Sequence, residues 1–176
     1  MDLRSVQRPL KEQYRSDPNS SRITLKATSS QTETPLACSV DVGRTIYASE
    51  AHAGVGGTGM AACSGDLLLG ALAACAQITC QLVATNMGIA TEGIAVTVEG
   101  DLDLRGTLGM ASDVAVGFSE IRVNFDVIAT DTPPERLRAL REKTEQYCVV
   151  MQTLVRPPAI RVAWDSFKVE DTTSSV

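Results

Sequence analysis

Two cysteines stand where their thiols could react together. Cys75 lies among alanines in the apolar stretch 65–87, and Cys148 lies on the inward face of a second helical pattern over 132–154. If these two helices pack together, the sulfur atoms can meet, provided that the Cα atoms come within about 7 Å of each other. Because the thiolate is the nucleophilic form of cysteine, such a pair indicates thiol redox chemistry. The alternative is that both thiols only pack as small apolar groups.

The other three cysteines are weaker candidates for a reactive thiol. Cys80 follows Cys75 by five residues, which turns it about 140° around a helix, so the two thiols should not meet and Cys80 is expected to pack. Cys38 lies in a strand pattern and receives the same interpretation. Cys63 stands at the start of the first long helix, where the pKa of a thiol can be depressed, and it is kept as a secondary candidate nucleophile.

The single histidine, His52, lies in a glycine-rich loop before that helix. It is interpreted either as a solvated loop residue or as a polar group at the lip of a pocket. Together with Cys63 and Asp66 it gives a separate hypothesis, a chemistry located at the mouth of the helix. One histidine and no Cys-x-x-Cys spacing argue against a metal site. The stretch "GVGGTG" lacks the Gly-Lys-Ser/Thr end of a phosphate-binding loop, and no cofactor is expected.

Composition excludes several classes of function. The chain has 176 residues, a net charge of −5 and no cluster of Lys and Arg, which disfavours nucleic acid and membrane surfaces as partners. The uninterrupted apolar part of the long helix, residues 67–76, is shorter than the roughly 20 residues of a membrane span. The start of the sequence has no apolar signal-peptide core, and the cysteine count is odd at five. We therefore expect a cytoplasmic protein with reduced cysteines.

The elements that must position these thiols follow from periodicity and end signals. Alternating patterns predict strands over 23–29, 36–42, 45–49, 94–104, 120–130 and 159–170. The first long helix is predicted from an N-cap at Ser64 to about Met87, with Gly88 as its C-cap. The second is predicted over 132–154, with a capping box of Thr132 and Glu135. This order of strands and helices predicts an α+β fold.

One domain accounts for most of the chain. Residues 1–21 are polar, contain a short helical pattern with Pro9 near its start, and are interpreted as an N-terminal arm. Residues 22–170 form the predicted domain, and residues 171–176 form a tail that is expected to be mobile. Because aromatic residues make up only 4% of the chain, the core must be built from small and aliphatic side chains, and such cores often need a partner subunit.

Four stretches together resemble one known family. They read "SGDLLLGALAACAQIT", "GIATEGIAVTVEGDLDL", "FSEIRVNFDV" and "ERLRALREKTEQYCVV". Over about residues 22–170 they are similar to the OsmC/Ohr family, named after osmotically inducible protein C and organic hydroperoxide resistance protein. The most specific feature is a Leu-Leu-x-Ala-Leu-Ala-Ala-Cys helix followed by a second helix that carries a cysteine near its end.

The resemblance implies both a fold and an activity. It implies an intertwined homodimer in which two long central helices are wrapped by antiparallel sheets, with active sites at the subunit interface. It implies that Cys75 attacks a hydroperoxide and becomes a sulfenic acid, that Cys148 resolves it to a disulfide, and that an external dithiol reduces the disulfide. Apolar walls from Leu67, Leu68, Ala71 and Met151 would then favour organic hydroperoxides. The implied role is a thiol peroxidase of the oxidative stress response.

The sequence departs from the family pattern at three places. Peroxidase members usually carry Asn-Pro-Glu before the helix, whereas this chain has Cys63-Ser64-Gly65, with Asp66 one residue later. The arginine that the glutamate would hold is expected to be Arg44, in preference to Arg22. The Cys-Pro-Val of many members is Cys148-Val149-Val150 here. Without the Glu–Arg pair, an apolar pocket is expected to raise the pKa of Cys75. The alternative function is therefore a non-catalytic member that binds a small apolar or thiol-reactive ligand at the dimer interface.

Overall fold

The computed structural model describes residues 3–31 and 36–164. Its helices are α1 (Leu3–Ser16), α2 (Ser64–Met87), α3 (Leu104–Thr107), α4 (Pro134–Tyr147) and α5 (Val149–Val155), with short 3-10 turns at Pro18–Ser21 and Ala53–Val55. Its strands are β1 (Thr28–Gln31), β2 (Ala37–Asp41), β3 (Ile46–Glu50), β4 (Gly93–Asp101) and β5 (Glu120–Ile128). The predicted α+β class is confirmed.

The described strands form two antiparallel sheets. The first has the order β1-β2-β3, with Ser30 opposite Ser39 and Val40 opposite Tyr47. The second pairs β4 with β5, with Val96 opposite Phe125. The bend between β2 and β3 contains Gly43 at a φ of 84°, which a residue with a side chain rarely adopts.

The long helix α2 forms the centre of the fold. It packs against β4, α4 and α5. One group of buried residues along it contains Cys80, Ala84, Ile89, Ala129 and Leu140, and a second contains Leu72, Ala76 and Cys148. By length and composition alone α2 could also cross a membrane, a test that the core helix of a folded protein passes as well. Here its buried face lies against the second sheet and the later helices.

The ends of α2 agree with the sequence except at one residue. The helix ends at Met87, and Gly88 follows in the left-handed region with a φ of 64°, as predicted. The predicted N-cap at Ser64 is wrong, because Cys63 occupies that position. The carboxylate of Asp66 accepts a hydrogen bond of 2.9 Å from the backbone N–H of Cys63, and this bond fixes Cys63 as the cap.

The second helical pattern is divided in the structure. Cys148 leaves the helix with a ψ of 105°, so that α4 ends before it and α5 begins after it. The predicted capping box of Thr132 and Glu135 is also wrong, because the helix begins at Pro134. A residue that precedes proline is disfavoured in the helical region, and Pro133 accordingly has an extended ψ of 144°.

Three terminal predictions differ from the structure. Residues 22–27 have no regular structure, and the first strand begins only at Thr28, where its pairing with β2 begins. Residues 159–164 of the predicted last strand likewise have no regular structure, while 165–170 and the tail 171–176 lie outside the described residues. The helix near the N-terminus is longer than predicted and contains Pro9 in its interior. It contacts α2, and the arm boundary at residue 21 stays a prediction.

Candidate active site around Cys75 and Cys148

The structure brings Cys75 and Cys148 together. Cys75 lies in the middle of α2 and is half-buried, whereas Cys148 lies at the break between α4 and α5 and is fully buried. Cys75 packs against the buried group that contains Cys148, and the two thiols interact directly. The hydroxyl of Thr79 lies 4.0 Å from the sulfur of Cys75, one helical turn further along. All five cysteines of the chain are free thiols.

The break at Cys148 supplies hydrogen-bond donors to the site. The N–H of Cys148 still bonds the carbonyl of Thr144 at 3.0 Å, which ends α4, and its carbonyl accepts from Gln152 at 2.9 Å, which begins α5. The first N–H groups of any helix have no partner within that helix. At the start of α5 these groups belong to Val149 and Val150, and both donate toward the sulfur of Cys75.

These contacts shift the pKa values of the two thiols in opposite directions. Burial alone raises the pKa of Cys75, but donation from the Val150 N–H, from the Cys148 thiol, from Thr79 and from the Val149 N–H outweighs it, and the pKa is lowered overall. For Cys148, burial and the neighbouring Cys75 raise the pKa, against a smaller effect of backbone N–H groups. Cys75 is therefore the thiol that ionises first, and Cys148 keeps its proton.

This finding corrects the expectation that the pKa of Cys75 rises without a Glu–Arg pair. The groups that shift its pKa include no cationic side chain of the described residues. Arg44 in particular lies exposed in the turn between β2 and β3, and it does not act on Cys75. Backbone N–H groups at a helix start stabilise a thiolate by the same electrostatic principle as a cation does.

The other candidate residues, His52, Cys63 and Asp66, lie together at the start of α2, away from Cys148. His52 and Cys63 line a cavity of about 950 Å³ at the start of α2, and Asp66 lies beside them. Hydrogen bonds from the N–H and thiol of Cys63, together with the nearby His52, lower the pKa of Asp66. His52 accepts a 3.0 Å hydrogen bond from the N–H of Gly54 at Nδ1. Cys63 and Cys75 are twelve residues apart along one helix, about 18 Å, and Leu68, which also lines the cavity, is seven residues from Cys75, about 10 Å.

The apolar side chains that the sequence predicts around Cys75 also lie in two separate places. Met151 packs against the buried group around Cys148, whereas Leu68 lines the cavity at the start of α2. A second cavity of about 490 Å³ lies between β5 and α4 and is lined in part by Cys80 and Thr144. Burial raises the pKa of Cys80, as expected of a packing thiol. Over residues 3–31 and 36–164 no three His, Cys, Asp or Glu side chains lie close enough together to hold a metal ion.

Sequence reasoning missed three groups at the site. Thr79 follows Cys75 by four residues, and this spacing on a helix could have revealed it. The N–H donors of Val149 and Val150 carry no signal in side-chain type, because they depend on where the backbone leaves the helix. The mismatch between Val149 and the proline of the family pattern was the one hint at this position.

Comparison with known proteins agrees with this fold. The family model of OsmC-like proteins matches residues 57–163, more than half of the chain. An OsmC-like protein from Mycoplasma pneumoniae superposes with a TM-score of 0.64 at 17% identity, over 76% of this chain and 88% of that one. An organic hydroperoxide resistance protein from Elizabethkingia anophelis superposes with a TM-score of 0.56 at 20% identity, over 76% of this chain and 89% of that one.

A third structure extends the same likeness. It is an organic hydroperoxide resistance protein OsmC from Legionella pneumophila, with a TM-score of 0.56 at 19% identity, over 76% of this chain and 90% of that one. No curated protein matches the sequence at a significant level. The similar structures show the fold. The family model, over residues 57–163, covers both the helix that carries Cys75 and Cys148. The chain belongs to the family of OsmC-like proteins.

Proposed function

We propose that this protein is a thiol peroxidase that reduces organic hydroperoxides in the cytoplasm as part of an oxidative stress response. The observation that supports it most is the pairing of Cys75, whose pKa is lowered, with a buried Cys148 whose pKa is raised. Two of the similar structures are described as organic hydroperoxide resistance proteins, which agrees with this substrate class. Apolar side chains around Cys75, among them Leu72 and Met151, favour a substrate with an organic substituent.

The first chemical step uses the two thiols in different protonation states. The Cys75 thiolate attacks the terminal oxygen of the hydroperoxide, so that an S–O bond forms and the O–O bond breaks. Cys75 becomes a sulfenic acid, and the leaving alkoxide takes the proton of the Cys148 thiol to become an alcohol. Because Cys148 is thereby left as a thiolate next to the sulfenic sulfur, the same proton transfer prepares the second step.

The second step closes the cycle with an external reductant. The Cys148 thiolate attacks the sulfur of Cys75, an S–S bond forms, and hydroxide leaves and becomes water with a proton from solvent. A dithiol then reduces the disulfide and is itself oxidised to a disulfide. The break between α4 and α5 supports this step, because it places Cys148 between two helices rather than inside one.

The test is to map the cysteines during turnover with cumene hydroperoxide and dithiothreitol. We expect one hydroperoxide consumed per dithiothreitol oxidised, and a Cys75–Cys148 disulfide when the reductant is omitted. Cys80, which burial keeps protonated, should stay a thiol and serves as an internal control. All thiols remaining reduced under excess hydroperoxide would overturn the peroxidase and would support the alternative of a ligand-binding protein, which agrees with the finding that no cationic side chain of the described residues acts on Cys75.

The protein is also proposed to act as a homodimer. The face of α2 away from its core carries exposed apolar side chains at helical spacing, with Leu68 38%, Ile78 54% and Leu82 37% exposed. This stripe runs past Cys75, and exposed apolar surface of this kind is typical of an interface. A second copy covering the stripe would enclose the reactive thiol from the open side.

Ile78→Asp is expected to separate the subunits. A charge in the middle of the apolar stripe costs several kcal/mol on burial, whereas it is tolerated at the surface of a single chain. Analytical ultracentrifugation should then show a dimer for the unaltered protein and a monomer for Ile78→Asp. The matched control is Gln81→Asp, at an exposed polar position of α2. If Ile78→Asp sediments as the unaltered protein does, the interface does not use this stripe.

A further inference from the structure

We propose that the cavity at the start of α2 is a binding site for an uncharged, apolar small molecule, separate from the reactive pair. We call it the α2 cleft: it is bounded by the loop after β3, the first turn of α2, the end of β4 and residues 116–118. Its volume of about 950 Å³ lies at the upper end of the range for small-molecule sites. This inference goes beyond the proposed peroxidase and does not depend on it.

Two glycines create the space for the back wall of the α2 cleft. A Cβ atom at Gly100 would lie 2.7 Å from ring carbons of Phe118, which is too close for any side chain. A Cβ atom at Gly65 would lie 3.3 Å from Cζ of the same ring and 3.5 Å from Sγ of Cys63. The Phe118 ring therefore excludes a side chain at Gly100 and leaves little room for one at Gly65. Gly65 stands where family peroxidases are expected to have glutamate, so this chain has an aromatic wall in place of a carboxylate.

The rest of the lining is mainly apolar. Leu102 and Leu104 line the α2 cleft beside the Phe118 ring, and Leu68, the first residue of the apolar stripe on α2, borders both surfaces. At the rim, Val116 is 67% exposed and Leu102 is 41% exposed. Apolar surface that faces water costs about 25 cal/mol per Å², and its grouping around one concavity is typical of a ligand site.

The charges of the lining select against anions. No Lys or Arg is among the described residues that line the α2 cleft, and its charged members are Glu50 and Asp101. Glu50 accepts hydrogen bonds from the N–H of Ala61 at 2.9 Å and from the hydroxyl of Thr58 at 2.8 Å, which keep its pKa low and its charge present at neutral pH. Arg122 neutralises Asp101 from outside the cleft, with a 3.0 Å hydrogen bond. Glu50 would repel a fatty-acid carboxylate or a phosphate, and no cationic side chain among the described lining residues would offset this repulsion. An uncharged molecule would not be repelled.

The probe for the test is the uncharged dye Nile red, titrated by fluorescence. Val116→Arg places a charge on the rim, where the exposed side chain contributes little to stability, and should weaken binding at least about tenfold. Leu25→Arg is the matched control, because Leu25 is 86% exposed and does not line the α2 cleft. It should leave the affinity unchanged, and so should Cys75→Ser, since Cys75 is outside the cleft.

A second readout uses two half-buried thiols of the same molecule. Cys63 lines the α2 cleft, whereas Cys38 lies in β2 and does not. Saturating Nile red should slow alkylation of Cys63 by iodoacetamide at least about fivefold and leave Cys38 unchanged, because bound ligand blocks access to the wall. The proposal is overturned if Val116→Arg binds the dye as tightly as Leu25→Arg does, or if Cys63 is not protected. It is equally overturned if Val116→Arg dissociates a dimer, since a second copy would then occupy the cleft.

Discussion

Cys75→Ser is expected to abolish the turnover of cumene hydroperoxide, with a loss of at least about a thousandfold, because removal of a covalent nucleophile removes the whole reaction path. A serine hydroxyl does not ionise near neutral pH, and the N–H groups of Val149 and Val150 cannot change that. The measurement is hydroperoxide consumption at saturating dithiothreitol. Cys63→Ser is the matched control, because that thiol stands at the start of the same helix and is half-buried like Cys75.

The same pair of variants decides between the two thiol sites on α2. If turnover survives Cys75→Ser and disappears in Cys63→Ser, the chemistry belongs to the helix mouth with His52 and Asp66. Retained turnover in both variants would contradict either site. Circular dichroism checks that each variant is folded. Unfolding is not expected, because replacing a half-buried sulfur by oxygen changes the side-chain volume little.

Cys148→Ser should have a different effect on the same reaction. Without dithiothreitol the Cys75 thiolate can still attack, with solvent instead of Cys148 protonating the leaving alkoxide, so one equivalent of hydroperoxide should be consumed and the sulfenic acid should then accumulate. Dimedone, which reacts with sulfenic acids, should label Cys75 in this variant and not in the unaltered protein, where Cys148 captures the intermediate. If Cys148→Ser turns over repeatedly at the full rate with dithiothreitol, Cys148 is not the resolving thiol.

Much of the positioning of the reactive pair could be predicted from the sequence. The run from residue 64 to Gly88 is long, apolar and bounded by strong end signals, and these signals predict the ends of α2 to within one residue. Placing Cys148 on an inward face of a second helix was enough to bring it to Cys75. The first inference depends on a local pattern that the structure keeps throughout α2.

The chemistry at the sulfur depends on features that no local pattern contains. The pattern over residues 132–154 is continuous in the sequence, but the backbone leaves the helix at Cys148, between α4 and α5. That break exposes the N–H donors and reverses the expected pKa direction of Cys75. Similarly, Ile23 and Leu25 alternate as in a strand, yet no strand among the described residues pairs with them.

Val149→Pro tests whether the break activates Cys75. Proline has no N–H, so the variant removes one donor to the sulfur while leaving the helix start intact. Position 149 is the first of α5, where proline is favoured, and Cys148 already has the extended backbone (φ −71°, ψ 105°) that a following proline requires. We therefore expect the pKa of Cys75 to rise without loss of fold. Because one hydrogen bond contributes about 1 kcal/mol and Val149 is the smallest of the groups that lower this pKa, alkylation of Cys75 by iodoacetamide at pH 7 should slow by at most about fivefold.

The pH dependence separates this electronic effect from a steric one. In the unaltered protein the alkylation rate of Cys75 should rise with pH and level off below the pH at which an ordinary cysteine does, since its pKa is lowered. In Val149→Pro the whole profile should shift to higher pH and reach the same plateau, because the thiolate itself is equally accessible. Val149→Ala retains the N–H and removes the exposed side chain, and its profile should match that of the unaltered protein. A lower plateau with no shift in Val149→Pro would mean that the residue only shapes access, and that the thiolate is stabilised by the remaining donors alone.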